Sequence, residues 1–278
     1  MTLLLGDKGI GDEIGLNKIL TFIQKHKGLD VSSYRQNFIH RRLRLRVLAT
    51  RVKSPQEYIA LIEKSPEEFN LFLDALSINV TEFFRDPDVY DAFRKLALTE
   101  LMNRKAASDY KSIRIWSSAC ASGEEAYSLA ILLKEELKGR QDLMVKVLAT
   151  DIDDQALEKA KEATYRTGDL QKLPPAILKK YFTLSNAAHY QVNDDIRQMV
   201  KFQKHNIFGQ APYKGLDAIF CRNIMIYLSR PQMMELFKKF YELLNPQGYL
   251  ILGKVETLWE RNLFKPVDLK AKIYQKPG

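Results

Sequence analysis

The chain has 278 residues, 46% hydrophobic and 28% charged, which excludes collagen-like, coiled-coil and disordered classes and leaves room for one large or two modest globular domains. No apolar run approaches the roughly 18 residues of a membrane span and the first residues lack the pattern of a signal peptide, so a cytoplasmic protein is expected. Two cysteines, Cys120 and Cys221, with no CxxC and only four histidines exclude a disulfide scaffold and leave no metal site expected, while a net charge of +9 points to an acidic partner.

Residues 1–78 read as a helical domain. A helix is expected from Ser32 or Ser33 to about Thr50, followed by two helices opened by Ser54-Pro55-Gln56-Glu57 and Ser65-Pro66-Glu67-Glu68, capping boxes with proline at the first helical position. Residues 31–55 hold six Arg and one Lys with no acid. On a helical wheel Tyr34, Phe38, Leu45, Leu48 and Val52 form an apolar face, and Arg35, Arg42, Arg46 and Lys53 form a basic stripe a quarter-turn away. The same stripe also fits a solvated surface.

Residues 79–87, Asn79-Val80-Thr81-Glu82-Phe83-Phe84-Arg85-Asp86-Pro87, join this domain to the next. A plain linker reading has Phe83 and Phe84 dock the helical domain and Asp86-Pro87 start a helix, but it leaves Asn79, Thr81 and Arg85 unexplained.

Residues 88–278 alternate strand and helix. Strands are expected at Ser112–Ser117, Val145–Thr150, Leu216–Cys221 and Tyr249–Leu252, with helices at Glu124–Leu137, Asp154–Ala163 and from Ser229 toward Leu244, and a closing hairpin within Phe264–Gln275. The pattern implies a doubly wound α/β sheet, and short strand-like runs at about 180–205 imply a small antiparallel insertion.

Open α/β sheets bind ligands beyond the carboxyl ends of their strands. The loop Ser118-Ala119-Cys120-Ala121-Ser122-Gly123-Glu124-Glu125 has one glycine and no nearby cation, so neither GxGxxG nor a P-loop is present. Small residues beside two carboxylates suit a nucleoside carrying positive charge, although both glutamates could simply complement a helix dipole. Asp151 follows the second strand, where such folds place an acid on ribose hydroxyls, with Asp153 and Asp154 competing as helix caps.

Together the segments NVTEFFRD, RIWSSACASGEEAYSLA, ATDIDDQALEKA, HNIF and DAIFCRNIMIYL resemble the CheR-type chemotaxis receptor methyltransferases, in family order across nearly the whole chain. The resemblance implies an all-helical amino-terminal domain before an S-adenosylmethionine-dependent methyltransferase sheet with an inserted antiparallel β-subdomain. It also implies transfer of a methyl group to glutamate carboxylates on cytoplasmic chemoreceptor helices. Carried over residue by residue, it implies cofactor contacts from Asn79, Thr81, Arg85 and Ala119, with Glu125 receiving the methionine ammonium and Asp151 on the ribose. Asn206 and Ile207 would border the adenine, with Cys221 and Arg222 beside it, and Tyr227 would face the methyl-transfer centre. The family's late Gly-x-Ser-Glu stands here as Gly253-Lys254-Val255-Glu256.

A glutamate carboxylate is ionised at neutral pH, so its attack on a sulfonium methyl needs positioning rather than a general base. Arg85 and Tyr227 are expected to supply it, an arginine fork and one directed hydroxyl. Two other functions compete with this one. A nucleic-acid methyltransferase would use the basic helix on phosphates, but the Asn/Asp-Pro-Pro-Tyr motif is absent, and no nucleic-acid partner is expected; a non-catalytic cofactor sensor has no need of both Arg85 and Tyr227. By the resemblance, Arg35, Arg42, Arg46 and Lys53 would dock acidic receptor helices. Some family members also grip a carboxyl-terminal receptor peptide through a glycine-containing loop of the β-subdomain. Thr183–His189 here has no glycine, so no such tether is expected, unless an edge strand at Tyr190–Asn193 accepts the peptide.

Overall fold

The computed structural model describes residues 18, 19, 21, 22, 25, 36–76, 81–138, 140, 142–258 and 262–278. The expected helix start at Ser32 or Ser33, together with Tyr34, Arg35 and Asn79, lies outside them. The chain divides into two compact units, one formed by residues 1–78 with Tyr227–Gln232 and the other by Asn79–Ile226 with Met233–Gly278.

In the first unit, helices α1 (Gln36–Thr50), α2 (Pro55–Lys64) and α3 (Pro66–Leu76) follow one another. Ser54 caps α2, its Oγ accepting the Glu57 N–H at 3.2 Å, while the Glu57 carboxylate accepts from Lys53 N at 2.8 Å. Ser65 Oγ accepts the Glu68 N–H in the same way. The Glu68 carboxylate turns elsewhere: it accepts Arg46 Nε at 3.0 Å, Arg46 Nη2 at 2.5 Å and the Tyr58 hydroxyl at 2.8 Å.

The apolar face expected on α1 is not the buried one. Ile39, Leu43 and Val47 pack with Tyr58, Ile62, Phe69 and Phe72, whereas Leu45 and Leu48 are 50% and 57% exposed. The reason is the company each stripe keeps. Ile39, Leu43 and Val47 are one another's i+4 neighbours, while Arg41 and Arg44 stand at i−4 from Leu45 and Leu48, so burying the second stripe would draw two unpaired cations inward.

In the second unit, α4 (Pro87–Phe93) runs through a π-helical stretch, Arg94–Leu98, into α5 (Thr99–Ala106). The alternation that follows is β1 (Ser112–Ser118), α6 (Glu124–Glu136), β2 (Met144–Asp151), α7 (Asp154–Glu162), β3 (Thr164–Arg166), α8 (Pro175–Tyr181), β4 (Phe182–Asn186), β5 (His189–Val192), α9 (Asp194–Arg197), β6 (Val200–Lys204), β7 (Leu216–Cys221), α10 (Arg230–Leu243), β8 (Leu244–Leu252), β9 (Lys265–Asp268) and β10 (Ile273–Gln275). The main sheet has the order β6-β2-β1-β7-β8-β10-β9, parallel from β6 to β8 and closed by antiparallel β10 and β9. Strand order reverses between β1 and β7, the position where doubly wound sheets open a ligand crevice.

Three expectations shift. The antiparallel insertion pairs β3, β5 and β4, so it reaches back to Thr164 and ends at Val192; Val200–Lys204 is the outer parallel strand, its alternating pattern suiting an edge with one covered face. Tyr190–Val192 lies in the central strand of the small sheet and is not an edge. Phe83 and Phe84 belong to this unit: Phe83 packs edge-on against Tyr165 and Phe182 at 4.8 and 5.2 Å, and Phe84 against Tyr90 at 5.2 Å. These rings anchor the linker beside the insertion.

Candidate functional site

The loop after β1 turns sharply at the carboxyl end of the sheet. Ala119, Ala121 and Gly123 all have positive φ, at 58°, 48° and 94°. For each alanine such a conformation costs on the order of 1 kcal/mol or more, and it persists only where surrounding bonds impose it. Here Cys120 N–H donates to Thr150 O at 3.0 Å and Ala121 N–H to Asp151 Oδ2 at 2.8 Å. Gly123 answers to packing rather than to a ligand, since a Cβ there would meet the Ala160 Cβ at 2.9 Å. Ala119 is half-buried, so its backbone turn remains approachable.

Asp151 braces two loops: its other oxygen accepts the Asp153 N–H at 3.0 Å. Burial pushes its pKa up, opposed by the N–H groups of Asp153 and Ala121. Asp153, the competing acid, caps α7 through the N–H groups of Gln155 and Ala156.

The centre of the crevice is a buried charge cluster. Arg222, whose side chain is 1% exposed, donates from Nη2 to Asp86 Oδ2 at 2.7 Å and to Arg85 O at 2.8 Å, and from Nη1 to Glu125 Oε2 at 3.3 Å. Its guanidinium lies 5.6 Å from the Tyr90 ring centroid. Ser117 Oγ donates to Glu125 Oε1 at 2.7 Å. Asp86 starts α4 from a left-handed conformation with no side-chain cap, because its carboxylate is committed to Arg222. Burial pushes the Glu125 pKa up, while Arg222, Ser117 and the Arg85 charge pull it down.

Asp86 and Glu125 share the Arg222 guanidinium, so these three ionised side chains together carry a net charge of −1, and the Arg85 charge also acts on Glu125. The buried Arg222 Nε and Ser118 Oγ have no hydrogen-bond partner among the described residues. A ligand that brings one cation to Glu125 and hydroxyls to Asp151 suits this set of groups, as the ammonium and ribose of S-adenosylmethionine would.

Of the other expected contacts, Thr81 and Arg85 are half-buried in the linker, and Arg85 lies between Phe84 and Asp86, both at positive φ. Asn206 is exposed and Ile207 half-buried, in the loop that leaves β6 where His205 N–H donates to Asp151 O at 2.8 Å. Cys221, expected beside the adenine, is fully buried at the end of β7, and burial pushes its thiol well above the ordinary range. Tyr227 ends a 3-10 turn, Met225–Tyr227, and is itself grouped with the helical unit, while Met225 and Ile226 belong to the other. Within that unit Arg46 is an internal partner of Glu68 rather than a docking residue; Arg42 is half-buried, and Lys53 is exposed.

Several contributors escaped the sequence reading. Glu256 is 3% exposed and accepts Met225 N–H at 2.7 Å and Gly253 N–H at 2.6 Å, so it staples the loop after β7 to the end of β8. A Cβ on Gly253 would lie 2.8 Å from the Glu256 carboxylate and 2.9 Å from Asn223 N. The altered position of that motif, Val255, is 75% exposed, so the brace does not depend on it. Ser117 and Asp86 stood in view inside quoted motifs, but nothing local marks them as partners of residues 8 and 136 positions away.

Comparison with known proteins agrees with this architecture. Residues 79–273 match the family model described as CheR methyltransferase, SAM binding domain, and residues 14–77 match CheR methyltransferase, all-alpha domain. The chain is 34% identical to a chemotaxis protein methyltransferase of Borreliella burgdorferi, covering 87% of this chain and 88% of that one. It is also 34% identical to chemotaxis protein methyltransferase 2 of Vibrio cholerae, over 85% of this chain and 83% of that one. The chain thus belongs to the CheR methyltransferase family, with S-adenosylmethionine as its cofactor.

Proposed function

We propose that the protein transfers a methyl group from S-adenosylmethionine to glutamate side chains on the cytoplasmic helices of chemoreceptors, forming methyl esters in sensory adaptation. The observation that carries the reading is the net negative cluster of Arg222, Asp86 and Glu125 at the switch point of the sheet, which complements the cofactor's ammonium. The cofactor, when bound, supplies an electrophilic methyl on sulfur. The chain's own task is to orient a carboxylate already ionised at neutral pH. Arg85 would hold that carboxylate with its planar fork, and the Tyr227 hydroxyl would add one directed hydrogen bond, with no covalent intermediate. Thr81, Ala119, Asn206, Ile207 and Asn79 complete the cofactor contacts in this reading.

Receptor docking is assigned to α1, on a different face from the one expected. With Arg46 paired to Glu68, the exposed Arg41 and Arg44 flank Leu45 and Leu48 on α1, with the exposed Arg51 and Lys53 just past its end. Such a face suits an acidic amphipathic helix. The turn between β4 and β5 holds Ala187 and Ala188 and no glycine, which supports docking without a carboxyl-terminal tether.

The test uses labelled S-adenosylmethionine with receptor cytoplasmic fragments, RNA and DNA in one mixture. Base-labile label on the receptor fragment is expected, and label in nucleic acid would replace this reading. Arg85→Ala and Tyr227→Phe should both lose turnover, Tyr227→Phe with cofactor binding retained.

A further inference from the structure

The loop that follows β6 is tied at both ends by bonds of different kinds. At the strand end His205 N–H donates to Asp151 O at 2.8 Å, and within the loop Asn206 Oδ1 accepts Phe208 N–H at 3.0 Å while Asn206 O accepts Gly209 N–H at 2.8 Å. The far side is held from α10. Lys239 Nζ donates to Ile207 O at 2.6 Å and also to Gly209 O, two carbonyls of one short turn.

Among the described residues no carboxylate forms an ion pair with Lys239, and burial lowers its pKa from the ordinary lysine range, with Glu235 pulling the other way. A half-buried ammonium directed at two peptide carbonyls fixes the orientation of both peptide planes, which an apolar contact of the same area would not do. The same helix supports the loop a second way: Phe240 packs edge-on against Trp116 at 5.8 Å, and Trp116 lies 5.8 Å from the His205 ring.

We propose that Lys239 is a positioning residue for the cofactor: by pinning the carbonyls of Ile207 and Gly209 it sets the geometry of the adenine-side loop and so sets affinity for the nucleoside without entering the methyl transfer. The inference rests on the reading that Asn206 and Ile207 border the adenine.

Lys239→Met keeps the length of the side chain and removes its donors. S-adenosylhomocysteine binding by calorimetry should weaken about tenfold, the loss expected of a hydrogen bond from a charged group. The KM for S-adenosylmethionine should rise in step, with kcat and the melting temperature close to wild type, and Lys239→Arg should recover most of the affinity. Adenosine used alone as a probe should show the same weakening. Unchanged affinity in Lys239→Met, or affinity, kcat and melting temperature falling together in both variants, would overturn the proposal and leave a merely structural tie. Failure of the wild-type protein to bind S-adenosylhomocysteine would instead overturn the cofactor reading on which the inference stands.

Discussion

The two ends of the parallel sheet bury carboxylates on opposite terms. At the amino end Asp217, 1% exposed, accepts from Lys105 Nζ at 2.8 Å, Asn245 Nδ2 at 2.8 Å and Arg114 N–H at 2.9 Å, so one charge meets one counter-charge and β1, β7 and β8 are tied together. At the carboxyl end Glu125 and Asp86 divide a single guanidinium, and Arg222 Nε and Ser118 Oγ have no hydrogen-bond partner among the described residues. The first end is satisfied by the protein alone; in the function proposed above, the second is completed by the bound cofactor. A carboxylate at one end therefore serves stability, and at the other it stores binding capacity at some cost to stability.

The largest expected effect comes from the closed end. Asp217→Ala strands the Lys105 charge and should lower unfolding stability by about 3 kcal/mol, the loss typical when one partner of a buried pair is removed. Chemical denaturation measures it, and the S-adenosylhomocysteine affinity of the folded fraction should be unaltered. A loss of affinity in this variant would erase the distinction between the two ends.

Glu125→Gln should behave in reverse. Cofactor-product affinity should fall by about 2 kcal/mol, roughly thirtyfold, as expected for a hydrogen bond between charged groups. Stability should hold or rise slightly, because a buried group whose pKa is pushed up has its ionisation disfavoured by the fold.

The pH dependence sharpens this point. A carboxyl group with a raised pKa makes the folded state bind protons more readily than the unfolded one, so stability falls as pH rises from the ordinary value toward the raised one. Ligand affinity moves the other way. As pH falls, protonation of Glu125 removes the charge that meets the ammonium, and weakening should begin above pH 4.5, the ordinary value for the side chain. Calorimetry across pH should show this slope in the wild type and not in Glu125→Gln.

How far the sequence was legible follows from how local each feature is. Strands β1, β2 and β7 stand within a residue of their expected limits because a buried parallel strand is a short apolar run bounded by turns. Glu125 and Asp151 stood out as candidates because they follow strand ends, where this fold class binds ligands, whereas Arg222 entered only through the family resemblance. What was not legible is pairing across distance. Arg46 reads as part of a surface stripe because its partner Glu68 is 22 residues on, inside what reads as a capping box. Lys239 and Glu256 hold site loops through backbone atoms, for which no side-chain pattern exists.

The helical unit repeats the contrast on a smaller scale. Arg46→Ala should lower stability by about 1 kcal/mol or somewhat more through the loss of its paired hydrogen bonds to Glu68. Arg41→Glu with Arg44→Glu should change stability by less than about 0.5 kcal/mol, as surface substitutions usually do, while raising the KM for receptor fragments. Equal loss of stability in both cases would remove the division between internal and docking arginines.

The most direct test of the central claim, that the open carboxyl end recognises the cofactor's ammonium, is a calorimetric comparison of S-adenosylhomocysteine with 5′-methylthioadenosine, which shares the nucleoside and lacks the amino-acid moiety, in the wild type and Glu125→Gln. The wild type should prefer S-adenosylhomocysteine by at least about thirtyfold, the worth of the charged contact, and Glu125→Gln should reduce that preference to a few-fold. The same preference in both proteins would contradict the account.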